Sequence, residues 1–398
     1  MSETIVAGVI HLTDLHLLVD GEGNYYNVNE ARFITNFRAI LKAFDGQLQH
    51  GLDIADPGAV DELVEGFAQL VETERSAIGD APLIVLHTGD AEAFGTQDPD
   101  SFPGYRLLDE QIWQKVTGVR GGARGVDRVV QVYGNHDIWP GTFPARRPTQ
   151  HHQRVQALAE SVAGMEPPWP SSEEIPGQPL VEVIRVNTVR PGFVAGGIFA
   201  RGRVSQHLPR RGRRKWISPM KDLMLADGSL KILVTHHPMH GFDGPANAPR
   251  GRIERFAAHF SSILPSNGPG AGHAVDDCDR LTRIAAERGV GLFIAGHRHA
   301  LDPPDRASYR SSQECQSPLP EGCGQLVAQS PTQIVRDDDE HRVEGANSLS
   351  VYHIIRDDSD GTIHVTRRRY PFSEAGGFNP RQPSRIEPRV LSEIRLAE

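Results

Sequence analysis

The chain has 398 residues, a formal net charge of -9 and three cysteines, with a pI near 6.1. An acidic balance excludes a protein that binds nucleic acid over most of its surface and leaves room only for a local basic patch. Cys278, Cys315 and Cys323 are odd in number and irregular in spacing, against a secreted disulfide framework, and no apolar run reaches the roughly 18 residues of a membrane helix.

One catalytic domain over 1–398 is expected at this length, with insertions near 140–178, 201–215, 240–275 and 303–324 and a β-rich part at 324–372. Residues 5–12 are apolar and β-rich with no basic leader before them, so they read as a first strand and not as a signal peptide. A cytoplasmic protein without membrane association is the expectation. Residues 29–44 follow with Phe33, Phe37, Ile40, Leu41 and Phe44 near helical spacing behind a capping Asn29. A second helix is expected over 59–78, and strand-like runs recur at 83–86, 129–133, 230–234 and 290–294.

Each of these strand-like runs, the first included, leads into a short polar segment. In order they are Asp14-Leu15-His16, Gly89-Asp90, Gly134-Asn135-His136-Asp137, His236-His237-Pro238 and Gly296-His297-Arg298-His299. The carboxyl ends of strands in α/β sheets are where loops converge on a site. In the last third, 325–328, 348–355 and 362–369 read as strands, the last two joined as a hairpin by the acidic turn 357–361. That tail is expected to build much of a second sheet. The fold class is therefore α/β, a four-layer αββα sandwich of two packed mixed sheets flanked by helices. Stretches 140–148, 166–178, 265–272 and 303–324 are rich in proline, glycine and serine and read as loops.

The polar segments carry the chemistry. Asp14, His16, Asp90, Asn135, His236, His297 and His299 are the candidate metal ligands. Asp14 and His16 lie two apart, so an extended backbone would turn both side chains the same way. His297 and His299 repeat that spacing after a glycine, which allows a sharp turn and a close approach. Asp90 has two carboxylate oxygens, so one residue can bridge two ions about 3.5–4 Å apart. Mixed nitrogen and oxygen donors suit Zn, Mn or Fe better than Ca or Mg. Such a pair would yield a bridging hydroxide near neutral pH and clamp the phosphoryl oxygens during in-line attack. His136 is the candidate acid for the departing alkoxide, and Asp137 the carboxylate that orients or charges its imidazole. His11, His87 and His237 stand beside the motifs and read as structural or pocket-lining residues.

In order and spacing these segments resemble the calcineurin-like metallophosphoesterase superfamily, whose pattern is Asp-x-His, Gly-Asp, Gly-Asn-His-Asp or Glu, a later His, and Gly-His-x-His. The resemblance covers 14–299. It implies two packed sheets with helices outside and a dinuclear site of divalent or trivalent transition-metal ions. Asp14, His16, Asp90 and His299 would hold one ion, and Asp90, Asn135, His236 and His297 the other, with His136 protonating the leaving group. The short N-terminal lead and β-rich tail are most similar to bacterial members of the cyclic-nucleotide phosphodiesterase type. Family members often carry a further aspartate three residues after that of Gly-Asp, where this chain has Ala93. That departure bears on the support of Asp90 or of the neighbouring loops, and whether Glu92 compensates is left open by the sequence.

The expected activity is metal-dependent hydrolysis of a phosphate ester, first a phosphodiester that is nucleotide-like or otherwise small. A nuclease or a phosphomonoesterase would use the same centre, and a non-catalytic scaffold on this fold is the alternative from another class. The basic run over 201–215 with Trp216 reads as a solvated loop, or else as a nucleic-acid contact with a stacking ring. Cys315 and Cys323 lack the paired spacing of a zinc site.

Overall fold

A computed structural model describes residues 3–19, 25–28, 55–56, 58–92, 102–120, 123–138, 157–164, 170–189, 206–207, 214–215, 223–237, 281, 284–285, 287–296, 309–310, 325–329, 348–371, 380–381, 385–386 and 390–395. In chain order the elements that build the sheets are β1 (Glu3–Leu12), the helix α1 (Gly58–Ile78), β2 (Leu83–His87), β3 (Arg128–Gln131), β4 (Ser171–Ile175), β5 (Val181–Arg185), β6 (Leu230–Thr235) and β7 (Val290–Ala295). They continue with β8 (Tyr309–Arg310), β9 (Gln325–Gln329), β10 (Ser348–Asp357), β11 (Thr362–Pro371), β12 (Arg385–Ile386) and β13 (Val390–Arg395).

The first sheet runs β12-β11-β10-β1-β2-β3, with β13 also paired to β11. β1, β2 and β3 are parallel, while β1 meets β10 and β10 meets β11 antiparallel. The second sheet runs β8-β9-β7-β6-β5-β4, parallel through its middle and antiparallel at both edges. Central parallel strands are covered on both faces, and β2 accordingly buries Leu83, Ile84, Val85 and Leu86 in succession.

Alternation along the second sheet assigns its two faces. Val181, Val183, Ile232, Val234, Leu292 and Ile294 join the first sheet's Val9, Ile84 and Tyr352 in one core. Ile184, Leu233 and Phe293 point the other way, onto Leu281, Ile284 and Ala285, which are helical. On the first sheet α1 lays Leu63, Phe67, Leu70 and Val71 into the core, a helical spacing that makes one apolar stripe. Gly8 lets the end of α1 come close, since a Cβ there would sit 3.0 Å from both Ile78 Cδ1 and Leu83 Cδ1. The mixed α/β fold with two mixed sheets is thus as the sequence implied, and no described helix is long and apolar enough to cross a membrane.

Two expectations need correction. The tail hairpin does not build the second sheet: β10 and β11 extend the first one beside β1, in the register Glu3↔Asp357 to His11↔Ser350, and only β8 and β9 enter the second. β1 has a parallel partner on one side only, and the long hairpin closes the other. The stretch 166–178, read as a loop, contains β4. Its serines and glutamates give no apolar run, but an edge strand needs none, and Ile175 to Ser171 pair residue by residue with Val181 to Arg185. A helical stretch over 103–116, widened to a π-helix at Leu108–Trp113, was not legible in the sequence. The helix read at 29–44 and the loops at 140–148 and 265–272 lie outside the described residues, as does all of 303–324 but β8.

Candidate metal centre

The loops after β1 and β2 run side by side. Asp14, His16 and Leu17 donate their amides to the carbonyls of Gly89, Asp90 and Ala91 at 2.9, 2.9 and 2.8 Å. This pairing holds Asp14, His16 and Asp90 at φ of 55, 47 and 55°, the left-handed region that non-glycine residues rarely occupy. Asp14 and His16 therefore do not reach the site through an extended backbone, as their spacing suggested. Left-handed residues of this kind cluster where function fixes the backbone, and surrounding bonds must over-determine them.

The side chains converge beneath these turns. Asp14, Asp90 and His236 form one buried group whose ligand atoms all lie within 4.8 Å of one another, and His16, Asp90 and His136 form a second. Asp90 is common to both. Its Oδ1 accepts the His136 amide at 2.8 Å. Its Oδ2 is buried and lies 3.2 Å from His236 Nε2 and 3.9 Å from His16 Nε2. Asn135 Oδ1 lies 2.9 Å from His236 Nε2. Two atoms each about 2.0–2.2 Å from one tetrahedral ion lie roughly 3.3–3.6 Å apart, so this convergence of nitrogen and oxygen ligand atoms on a buried carboxylate fits metal ions.

Glycines make room for it. A Cβ on Gly134 would overlap the Asp90 carboxylate, and one on Gly296 would overlap the Thr13 hydroxyl and approach Asp14 Oδ2 to 2.6 Å. Thr13 Oγ1 donates to Asp14 Oδ2 at 2.6 Å. His236 Nδ1 faces the Thr88 carbonyl at 2.8 Å, which fixes the ring with Nε2 toward Asp90.

Asp137 follows His136, but its described bonds go elsewhere. Its carboxylate accepts the amides of Asp90 at 3.0 Å, Glu92 at 2.9 Å and Gly134 at 2.6 Å, and the Tyr105 hydroxyl at 2.8 Å. Burial and the neighbouring Asp90 push the Asp137 carboxyl up to about 6 against those donors. For Asp90 burial works the same way, yet the imidazoles of His236 and His136 outweigh it and hold the carboxyl below its ordinary range. Burial alone would lower His236, but Asp90 carries it up to about 9. Burial drives His11 down to about 3 and His87 to about 4, so both are neutral. His11 Nε2 bonds Thr88 Oγ1 at 2.8 Å, His87 packs edge-on against Tyr105, and His237 Nδ1 bonds Thr188 Oγ1 at 2.9 Å.

The structure thus brings together Asp14, His16, Asp90, Asn135, His136 and His236 at the ends of β1, β2, β3 and β6. His297 and His299 lie outside the described residues, directly after Gly296, whose amide donates to the His236 carbonyl at 3.0 Å. Of the basic run, only a short antiparallel pair is described, Gln206–His207 with Arg214–Lys215. Sequence reasoning missed Thr13, Thr88 and Tyr105, which hold ligands or their supports and belong to no motif.

The profile of the calcineurin-like phosphoesterase family matches residues 8–301. Among solved structures the chain is similar to a 5'-nucleotidase precursor from Thermus thermophilus, at 13% identity and a TM-score of 0.33. That similarity covers 99% of this chain and 56% of the other, so this chain spans little more than half of that one's length. No curated protein matches the chain.

Proposed function

The chain belongs to the calcineurin-like phosphoesterase family, and from that premise we propose that it is a phosphoric ester hydrolase that cleaves a small, nucleotide-like phosphodiester at a two-metal centre. Asp14, His16, Asp90, Asn135, His236, His297 and His299 would hold Mn, Fe or Zn ions, with Asp90 shared. The buried Asp90 Oδ2 between two histidine nitrogens is the observation that carries the reading. When bound, the ions supply Lewis acidity, lowering the pKa of water and neutralising phosphoryl charge.

The remaining work belongs to the protein's own groups. His136 sits in edge contact with His16, ring centroids 4.5 Å apart, so ligand and proton donor are both open to it by distance. Exposure favours the donor: His136 is 9% exposed, against 3% for Asn135 and 1% or less for Asp14, His16, Asp90 and His236. A group at the solvent side can meet a departing alkoxide and give it the imidazole proton. Layout favours a diester. β1 lies just ahead of Asp14 and a long hairpin follows Gly-His-x-His, an order similar to that of the cyclic-nucleotide phosphodiesterase type.

Metal-reconstituted protein assayed on bis-p-nitrophenyl phosphate, 2',3'- and 3',5'-cyclic nucleotides, p-nitrophenyl phosphate and oligonucleotides tests the substrate class. A higher kcat/KM on the small diesters is expected. Preference for the monoester, or for oligonucleotides with steep loss of binding in salt, would replace the reading with one of its alternatives.

A further inference from the structure

Asp90 is braced by a closed circuit through Glu92, Tyr105 and Asp137, of which only Asp137 belongs to a motif. Glu92 Oε1 accepts the backbone amide of Tyr105 at 2.9 Å. The Tyr105 hydroxyl donates to Asp137 Oδ2 at 2.8 Å. Asp137 Oδ1 accepts the backbone amide of Glu92 at 2.9 Å, which closes the ring. Glu92, Tyr105 and Asp137 are all buried. Gly104 allows the helical turn carrying Tyr105 to dock on the loop after β2, since a Cβ there would lie 2.5 Å from the Ala91 carbonyl oxygen.

The circuit ends on the backbone of the site. Asp137 Oδ2, the atom that Tyr105 holds, also accepts the amides of Asp90 at 3.0 Å and of Gly134 at 2.6 Å. Asp90 keeps a left-handed backbone with φ of 55°, a conformation that survives only when neighbours fix it. Gly134 sits next to Asn135 and in contact with the Asp90 carboxylate. A swing of the Asp137 carboxylate would therefore loosen two loops at once, those of Asp90 and of Asn135.

We propose that Tyr105 is a positioning residue for the metal centre, its hydroxyl fixing through Asp137 the backbone from which Asp90 and Asn135 reach the ions. The proposal rests on the two-metal reading above. Groups that orient ligands from behind typically change metal affinity by about 10–100-fold when removed.

Calorimetric titration of the metal-free full chain with MnCl2 tests it, using Tyr105→Phe, which removes one oxygen and keeps the ring. The Mn2+ dissociation constant should rise about tenfold or more while the melting temperature of the metal-free protein stays near that of the parent. The exchange-coupled dimanganese signal in electron paramagnetic resonance should weaken. Asp137→Asn should lose affinity too, and the double variant should lose less than the sum of the two, because both break one path. A Tyr105→Phe protein with parental Mn2+ affinity, or additive losses in the double variant, overturns the proposal. Should Tyr105→Phe not fold, parental affinity in Asp137→Asn overturns it instead. A parent chain that takes up no Mn2+ overturns the two-metal reading itself and is told apart by that blank titration.

Discussion

Asp90 is gripped on one carboxylate oxygen by the His136 amide and left with the other aimed at two imidazoles. That asymmetry makes two residue-scale predictions. His236 faces acceptors at both nitrogens, the Thr88 carbonyl and Asn135 Oδ1, and Asp90 raises it to about 9 despite burial. Below that pH the metal-free ring holds a proton at Nε2 that an ion must displace. Affinity for Mn2+ or Zn2+ should rise as pH rises from 6 toward 9, by up to about tenfold per unit for this one proton, and proton release on binding should be measurable in buffers of different ionisation enthalpy. A pH-independent affinity over that range would mean His236 is not a ligand. His136, as proton donor and not ligand, should behave differently: His136→Ala should lower kcat about 10²–10⁴-fold on esters with poor leaving groups and leave metal content unchanged. Loss of an ion from that variant would make His136 a ligand.

These candidate ligands were legible because metals restrict residue types and the motifs keep them at strand ends. Tyr105 was not, because it acts through Asp137, 32 residues away in the chain, and only the fold brings them together. Asp137 was legible as a motif residue while its partners were not. Adjacency to His136 suggested an imidazole, and the carboxylate's described bonds reach backbone amides and a phenol.

Among elements, most of the parallel strands announced themselves by apolar runs, as β2 does, since burial on both faces leaves little room for polar alternation, while β5, parallel to β6 but interrupted by Glu182, did not. β4 did not, because an edge strand is specified by its partner's backbone. The tail hairpin was recognised as a hairpin but placed in the wrong sheet, for alternation says which residues are inward and not which neighbour they meet. One contact ties α1 to that hairpin. The buried Glu74 of α1 takes His353 Nε2 at 2.6 Å and the Tyr370 hydroxyl, with Arg368 Nη1 at 3.7 Å. Burial opposes ionisation of Glu74, but these partners outweigh it and hold its carboxyl below the ordinary 4.5. A depressed carboxyl contributes stability above its unfolded pKa and loses it as pH falls through the folded value. Glu74→Ala should lower the melting temperature at pH 7, at a cost of about 1–3 kcal/mol for each buried donor left unpaired. The gap between parent and variant should close as pH falls below 4.5. A gap unchanged down to about pH 3 would show that the pair contributes no ionic stability.

At the scale of the molecule, two sheets packed face to face bring the carboxyl ends of β1, β2 and β3 from one against that of β6 from the other. Residues as distant as Thr88 and His236, 148 apart in the chain, become hydrogen-bonded neighbours there. Anomalous diffraction from crystals grown with Mn2+ tests this convergence most directly. The account predicts two peaks about 3.5–4 Å apart with Asp90 Oδ2 between them, one beside His16 and one beside His236. A single peak, or a pair that leaves Asp90 uncoordinated, would contradict it.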